Sequence, residues 1–119
     1  DYADEAVILG ARSGSEDEWA RAGEADVTAI PPEDVPAWEP DFSDNVYLSV
    51  DIDAADPGYA PGTGTLEPFG LDPATMRSVV RAVTPQAIGF DIVEVNDRDD
   101  GQAAALGAKL LREFVYNHK

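Results

Sequence analysis

Val46-Tyr47-Leu48-Ser49-Val50-Asp51-Ile52-Asp53 reads as a buried β-strand, a short run rich in apolar and β-branched residues. Two carboxylates interrupt its apolar end. Side chains alternate along a strand, so the spacing predicts Asp51 and Asp53 on one face, roughly 6–7 Å apart at the backbone, close enough to grip one metal ion or a pair. Left unpaired in a buried strand they would cost several kcal/mol, and a divalent cation is the usual compensation. Spacing alone carries little weight: about two Asp-x-Asp pairs arise by chance in a chain so rich in Asp, and Asp97-Arg98-Asp99 is another. The apolar frame sets the first pair apart.

Elements on either side alternate in type. Upstream, Glu5 to Ala11 is an apolar run bounded by glycine and reads as a buried strand. Ser15-Glu16-Asp17-Glu18 is a capping box that opens a short helix to about Ala22, stopped by Gly23. Asp26 to Ile30 is a second strand, and Pro31, Pro32, Pro36 and Pro40 then allow a loop with at most one helical turn. Downstream, Pro57-Gly58, Pro61-Gly62 and Gly64 make a rigid loop too long for a mere connector. Asp72 caps the next helix with Pro73 at its first position, and Met76, Val79, Val80 and Val83 form its apolar face. Gln86 to Val95 is a fourth strand. Gly101 to Tyr116 is a last helix, with Ala104, Leu106, Ala108, Leu110, Leu111 and Phe114 as apolar positions.

Strands alternating with helices predict an α/β fold with a mainly parallel sheet and right-handed crossovers, about four strands and three helices. In such sheets ligands sit beyond the carboxyl ends of the strands. Asp53, Glu94 and the glycine turn near Ala11 all fall at that edge.

The chain has 119 residues, one domain's worth at most, and 44% are apolar, which excludes wholesale disorder. No run is long enough to cross a membrane, and nothing at the start resembles a signal peptide. Cysteine is absent, so thiolate ligation and disulfides are excluded. A cytoplasmic location is the expectation. Acidic residues number 24 against 8 basic ones, a net charge of −16, which repels nucleic acid and anionic membranes. The acids are scattered over every predicted loop and helix face, as on a salt-adapted surface.

Asp51-Ile52-Asp53-Ala54-Ala55-Asp56-Pro57 followed by Pro61-Gly62-Thr63-Gly64 resembles the signature of the ureohydrolase family, the arginases and agmatinases, Ser-x-Asp-x-Asp-x-x-Asp-Pro-x-x-x-Pro-Gly-x-Gly, here preceded by Ser49. Gly89-Phe90-Asp91-Ile92-Val93-Glu94-Val95-Asn96 is similar to the family's last core strand, and Glu67-Pro68-Phe69-Gly70-Leu71 to the loop between. Agmatinase-type enzymes are the nearest likeness. The resemblance implies a three-layer α/β/α fold of which residues 1–119 are the C-terminal segment of a single catalytic domain. It also implies two manganese ions, hydrolysis of a small cationic guanidino substrate such as agmatine to urea and an amine, a place in polyamine metabolism, and a homo-oligomer, trimer or hexamer. Asp51 and Asp53 would be metal ligands, and Glu94 would hold the guanidinium through paired hydrogen bonds. The family's remaining ligands, an early His and an Asp-x-His-x-Asp cluster, belong to an N-terminal half that this sequence does not match. The single His118 matches no family ligand and reads as an exposed tail residue. The chain begins at Asp1 and has Met76 as its only methionine, so a segment of a longer parent, inactive by itself, is the expectation.

Asp56 reads either as a turn former before Pro-Gly or as a site residue, and Asp91 as a structural acid or an orienting partner. Arg12 could meet the site, a neighbouring subunit or a surface carboxylate. A non-catalytic half-domain is the main alternative. A metal-dependent phosphohydrolase with a strand-end Asp-x-Asp wants Thr or Val where Ala55 stands and a loop lysine, whereas Lys109 lies in the predicted last helix. A calcium loop wants a ligand at 55, glycine at 56 and Glu at 62, where Ala55, Asp56 and Gly62 stand.

Overall fold

The computed structural model describes residues 3–42 and 45–118. Four strands form two parallel pairs. Strand β1 (Ala6–Leu9) pairs with β2 (Val27–Ile30), and helix α1 (Glu16–Glu24) connects them. Strand β3 (Val46–Asp51) pairs with β4 (Ala87–Val93), connected through helix α2 (Pro73–Val83), with Ser49 opposite Asp91 and Asp51 opposite Val93. Helix α3 (Gln102–Asn117) follows.

The helix starts follow the sequence. Ser15 and Glu18 exchange the two hydrogen bonds of a capping box at α1. Asp72 accepts from the Thr75 N–H at 2.7 Å, and Pro73 occupies the first turn, where its missing N–H costs nothing. The proline-rich stretch is a six-residue 3₁₀ helix, Pro32–Ala37, that sends Val35 into the core. This is longer than the single turn expected.

Helices α2 and α3 cover one face of β3–β4. Val50, Ile52, Ala55, Ala60, Leu71, Met76, Val80, Ala103 and Leu110 form the core there. Phe90 stacks on Phe114 with centroids 4.6 Å apart, and Arg81 grips Glu113 with two hydrogen bonds across the helices. The last helix buries Ala103, Gly107 and Leu110, while Ala104, Ala108 and Leu111 face solvent. Its inward stripe is therefore shifted from the one read in the sequence. The other face of β3–β4 carries Tyr47, 60% exposed, and Ser49, both bonded to Asp91. That open face is where the second helical layer of a three-layer fold would lie.

Strand β1 is shorter and less buried than its composition predicts, with Ala6 and Ile8 exposed. An apolar run signals what a strand can bury, and here no described element covers that side. His118 is exposed, but its ring stacks on Phe114 and a ring nitrogen lies 3.1 Å from the Ala87 carbonyl, at the start of β4. No helix among the described residues is long and apolar enough to cross a membrane.

Among the described residues the Arg81–Glu113 contact is the one ion pair, so the excess of acids is balanced mostly by solvent ions. The midpoint of thermal unfolding should rise as KCl is added, most steeply up to about 0.15 M, where the Debye length has fallen to about 8 Å. A midpoint that stays flat or falls from low to molar KCl would contradict this.

Candidate metal centre

The site is built at the carboxyl ends of β3 and β4. Strand β3 ends at Asp51, two residues earlier than the sequence pattern implies, because the Asp51 carboxylate accepts from the Asp53 N–H at 3.0 Å and caps a 3₁₀ turn, Ile52–Ala54. The turn swings Ile52 fully into the core. Asp53 therefore does not continue the strand face of Asp51, yet the turn keeps the two acids adjacent. Burial first, and then the Asp51 carboxylate beside it, push the Asp53 carboxyl up to about 6. Glu94 adds to this rise and Arg12 opposes it, so all four groups occupy one neighbourhood.

Glu94 is the first residue beyond β4 and is exposed, with a left-handed backbone at φ 65°. That conformation is uncommon outside glycine, Asn and Asp and costs on the order of 1 kcal/mol or more. It aims the chain out of the sheet directly beside the Asp51 turn, since Val93 is opposite Asp51.

The long loop after the acids closes on itself. Asp56 N–H donates to the Leu71 carbonyl at 2.9 Å, and Leu71 N–H to the Ala54 carbonyl at 2.8 Å. The Asp56 carboxylate accepts from Gly58 and Gly70 N–H groups at 2.9 and 3.1 Å, so Asp56 is the turn former and not a member of the acid pair. These N–H donors hold its pKa below the ordinary carboxylate range. Gly70 has no room for a side chain, because a Cβ there would lie 2.5 Å from the Asp56 nitrogen.

Asp99 plays the matching part on the far side, and the sequence reading passed over it. Its carboxylate accepts from Gly62, Ala103 and Gly101 N–H groups at 2.7, 2.8 and 3.2 Å, tying the loop to the start of α3. An acid two residues before Gly101 and three before the helix is a capping signal that could have found it. Asp91 accepts from Ser49 at 2.6 Å and Tyr47 at 2.8 Å, which makes it a structural acid on the open face. Among the described residues Arg12 bonds no carboxylate. Its guanidinium donates to the carbonyls of Asp53 (2.6 Å), Glu67 (3.0 Å), Ala54 (3.2 Å) and Gly10 (3.3 Å).

Asp51 and Asp53 offer hard oxygen donors, and their mutual repulsion, which helps raise the Asp53 carboxyl to about 6, is what a divalent cation such as manganese or magnesium would offset. The fit is partial: no group of three or more His, Cys, Asp or Glu among the described residues could hold an ion.

Because the Asp53 carboxyl is raised above its unfolded value near 3.8, its contribution to stability is present at low pH and is lost as pH rises through about 6 in the metal-free protein. Asp53→Asn should therefore gain stability relative to the unsubstituted chain as pH climbs from about 4 to 6. Melting curves of the two at matched pH test this, and a constant offset at every pH would contradict it.

The arginase family model matches residues 2–116. The agmatine ureohydrolase of Thermoplasma volcanium superposes with a TM-score of 0.84 at 37% identity, over 93% of this chain and 41% of that one. The mitochondrial agmatinase of Gallus gallus is 47% identical over 73 residues, covering 59% of this chain and 22% of that protein. The mitochondrial guanidino acid hydrolase of Homo sapiens is 45% identical over 73 residues, again 59% of this chain and 21% of that protein. The chain thus spans about two fifths of the solved relative, and its matched part spans about a fifth of each of these two curated ones. Its parallel pairs, its Asp51–Asp53 turn and its superposition lead to one assignment: the chain belongs to the arginase family.

Proposed function

We propose that residues 1–119 are the C-terminal segment of one ureohydrolase catalytic domain, and that the parent protein hydrolyses a small cationic guanidino compound, agmatine in the first instance, to urea and an amine with manganese as cofactor. The observation that carries this is the turn that holds Asp51 and Asp53 together at the strand end with Glu94 beside them. Manganese, when bound, supplies positive charge that offsets the paired carboxylates and makes water a nucleophile at neutral pH. Asp51 and Asp53 hold the ions through carboxylate oxygens. Glu94, exposed and bonded to none of the described residues, accepts two N–H groups of the planar guanidinium and fixes its carbon in front of the acids.

Two of the similar proteins are named for agmatine and one for a guanidino acid, which supports a guanidino substrate. With two carboxylates and no third donor grouped with them among the described residues, the segment alone is proposed to bind manganese weakly and to be inactive.

Manganese-dependent urea release from agmatine, assayed on the full-length parent, tests the reading. Asp51→Ala and Asp53→Ala should abolish turnover and lower manganese content. Glu94→Gln should keep manganese stoichiometry and lower kcat/KM about 30- to 1000-fold, the equivalent of roughly 2–4 kcal/mol for a lost charge-assisted pair. Metal loss in Glu94→Gln would make Glu94 a ligand, and full activity in the Asp variants would overturn the assignment.

A further inference from the structure

Arg12 leaves β1 through Gly10, which adopts a left-handed φ of 86° and packs so closely that a Cβ would sit 3.3 Å from Leu71. This brings the end of β1 against the loop that returns from the acid turn. The guanidinium then spans three separate segments. Nη2 donates to the carbonyls of Asp53 and Glu67, at 2.6 and 3.0 Å, and Nη1 to those of Ala54 and Gly10, at 3.2 and 3.3 Å. Nε is buried without a partner among the described residues.

We infer that Arg12 is a positioning residue for the metal-binding carboxylates: it clamps the backbone of Asp53 and Ala54 to the Glu67 loop and to the end of β1, and so sets where the Asp53 carboxylate stands beside Asp51. The inference rests on the proposed manganese-dependent hydrolysis and adds a residue to it. Its physical basis is the planar fork. A guanidinium presents five donors in one plane and can satisfy four carbonyls at once, whereas an ammonium presents three around a point and cannot. The shortest bond goes to the carbonyl of the acid itself, so loss of the fork frees the turn at the residue that must be held. The positive charge also lies next to an acid pair that repels itself, an advantage that lysine would keep. Geometry and charge are thus separable by substitution.

The test uses the full-length parent with Arg12→Lys and Arg12→Gln, manganese affinity by equilibrium dialysis, and kinetics of urea release from agmatine at saturating manganese. Arg12→Lys should weaken manganese binding about 10- to 100-fold, as loss of a residue that orients a ligand does. At saturating metal it should lower kcat about 10- to 100-fold while the KM for agmatine stays within about twofold. Arg12→Gln, which loses fork and charge together, should weaken manganese binding at least as much. Wild-type manganese affinity and kcat in Arg12→Lys would overturn the inference. So would failure of both variants to fold at saturating manganese, because Arg12 would then be an architectural staple only. If the unsubstituted parent binds manganese but releases no urea, the substrate reading fails while the metal titration still decides the role of Arg12. If it binds no manganese, both fail.

Discussion

Two like charges held side by side at the end of β3 are the constraint around which the rest of this chain is arranged. Repulsion between Asp51 and Asp53 opposes any turn that keeps them adjacent, and the chain forms such a turn. Asp51 caps a turn with its own carboxylate, Ile52 anchors that turn by full burial, and Arg12 grips the Asp53 carbonyl from behind. The loop that follows folds back to pair Ala55 with Leu71, so the turn is held from both ends. A divalent cation beside the two acids would offset the repulsion that this turn maintains.

Acids are so common in this chain that abundance alone says nothing about which of them act. Their hydrogen bonds separate them. Asp56, Asp72 and Asp99 accept from backbone N–H groups, and Asp91 accepts from two hydroxyls. Each is held below the ordinary carboxylate range by those donors, which for Asp99 outweigh desolvation. Asp53 is displaced in the opposite direction, with burial as the leading cause. In a chain this rich in acids, the carboxyl displaced upward is the informative one.

Local chemistry written in adjacent residues was legible in the sequence. The Ser15–Glu18 box, the Asp72-Pro73 start and the four strands appear within a few residues of where the pattern put them. The end of β3 was not legible, because Ile52 continues the alternation of Leu48 and Val50, and nothing in that pattern shows that the Asp51 carboxylate caps a turn there. Burial of β1 was overread for the complementary reason: apolar composition does not say whether a neighbour is present to cover it. The sequence left Arg12 among three alternatives, of which the site is the one observed, since two of its acceptors, Asp53 and Glu67, are backbone carbonyls 41 and 55 residues away and carry no side-chain signature. The pair Asp51 and Asp53 was found for a sound reason, the apolar frame, although its geometry is that of a capped turn and not of a continuous strand.

The most direct measurement is anomalous diffraction at the manganese edge from crystals of the full-length parent. The account predicts density within about 2.0–2.6 Å of carboxylate oxygens of both Asp51 and Asp53, with Glu94 outside ligand distance. Manganese bound elsewhere, or coordinated by Glu94 in place of Asp53, would contradict it.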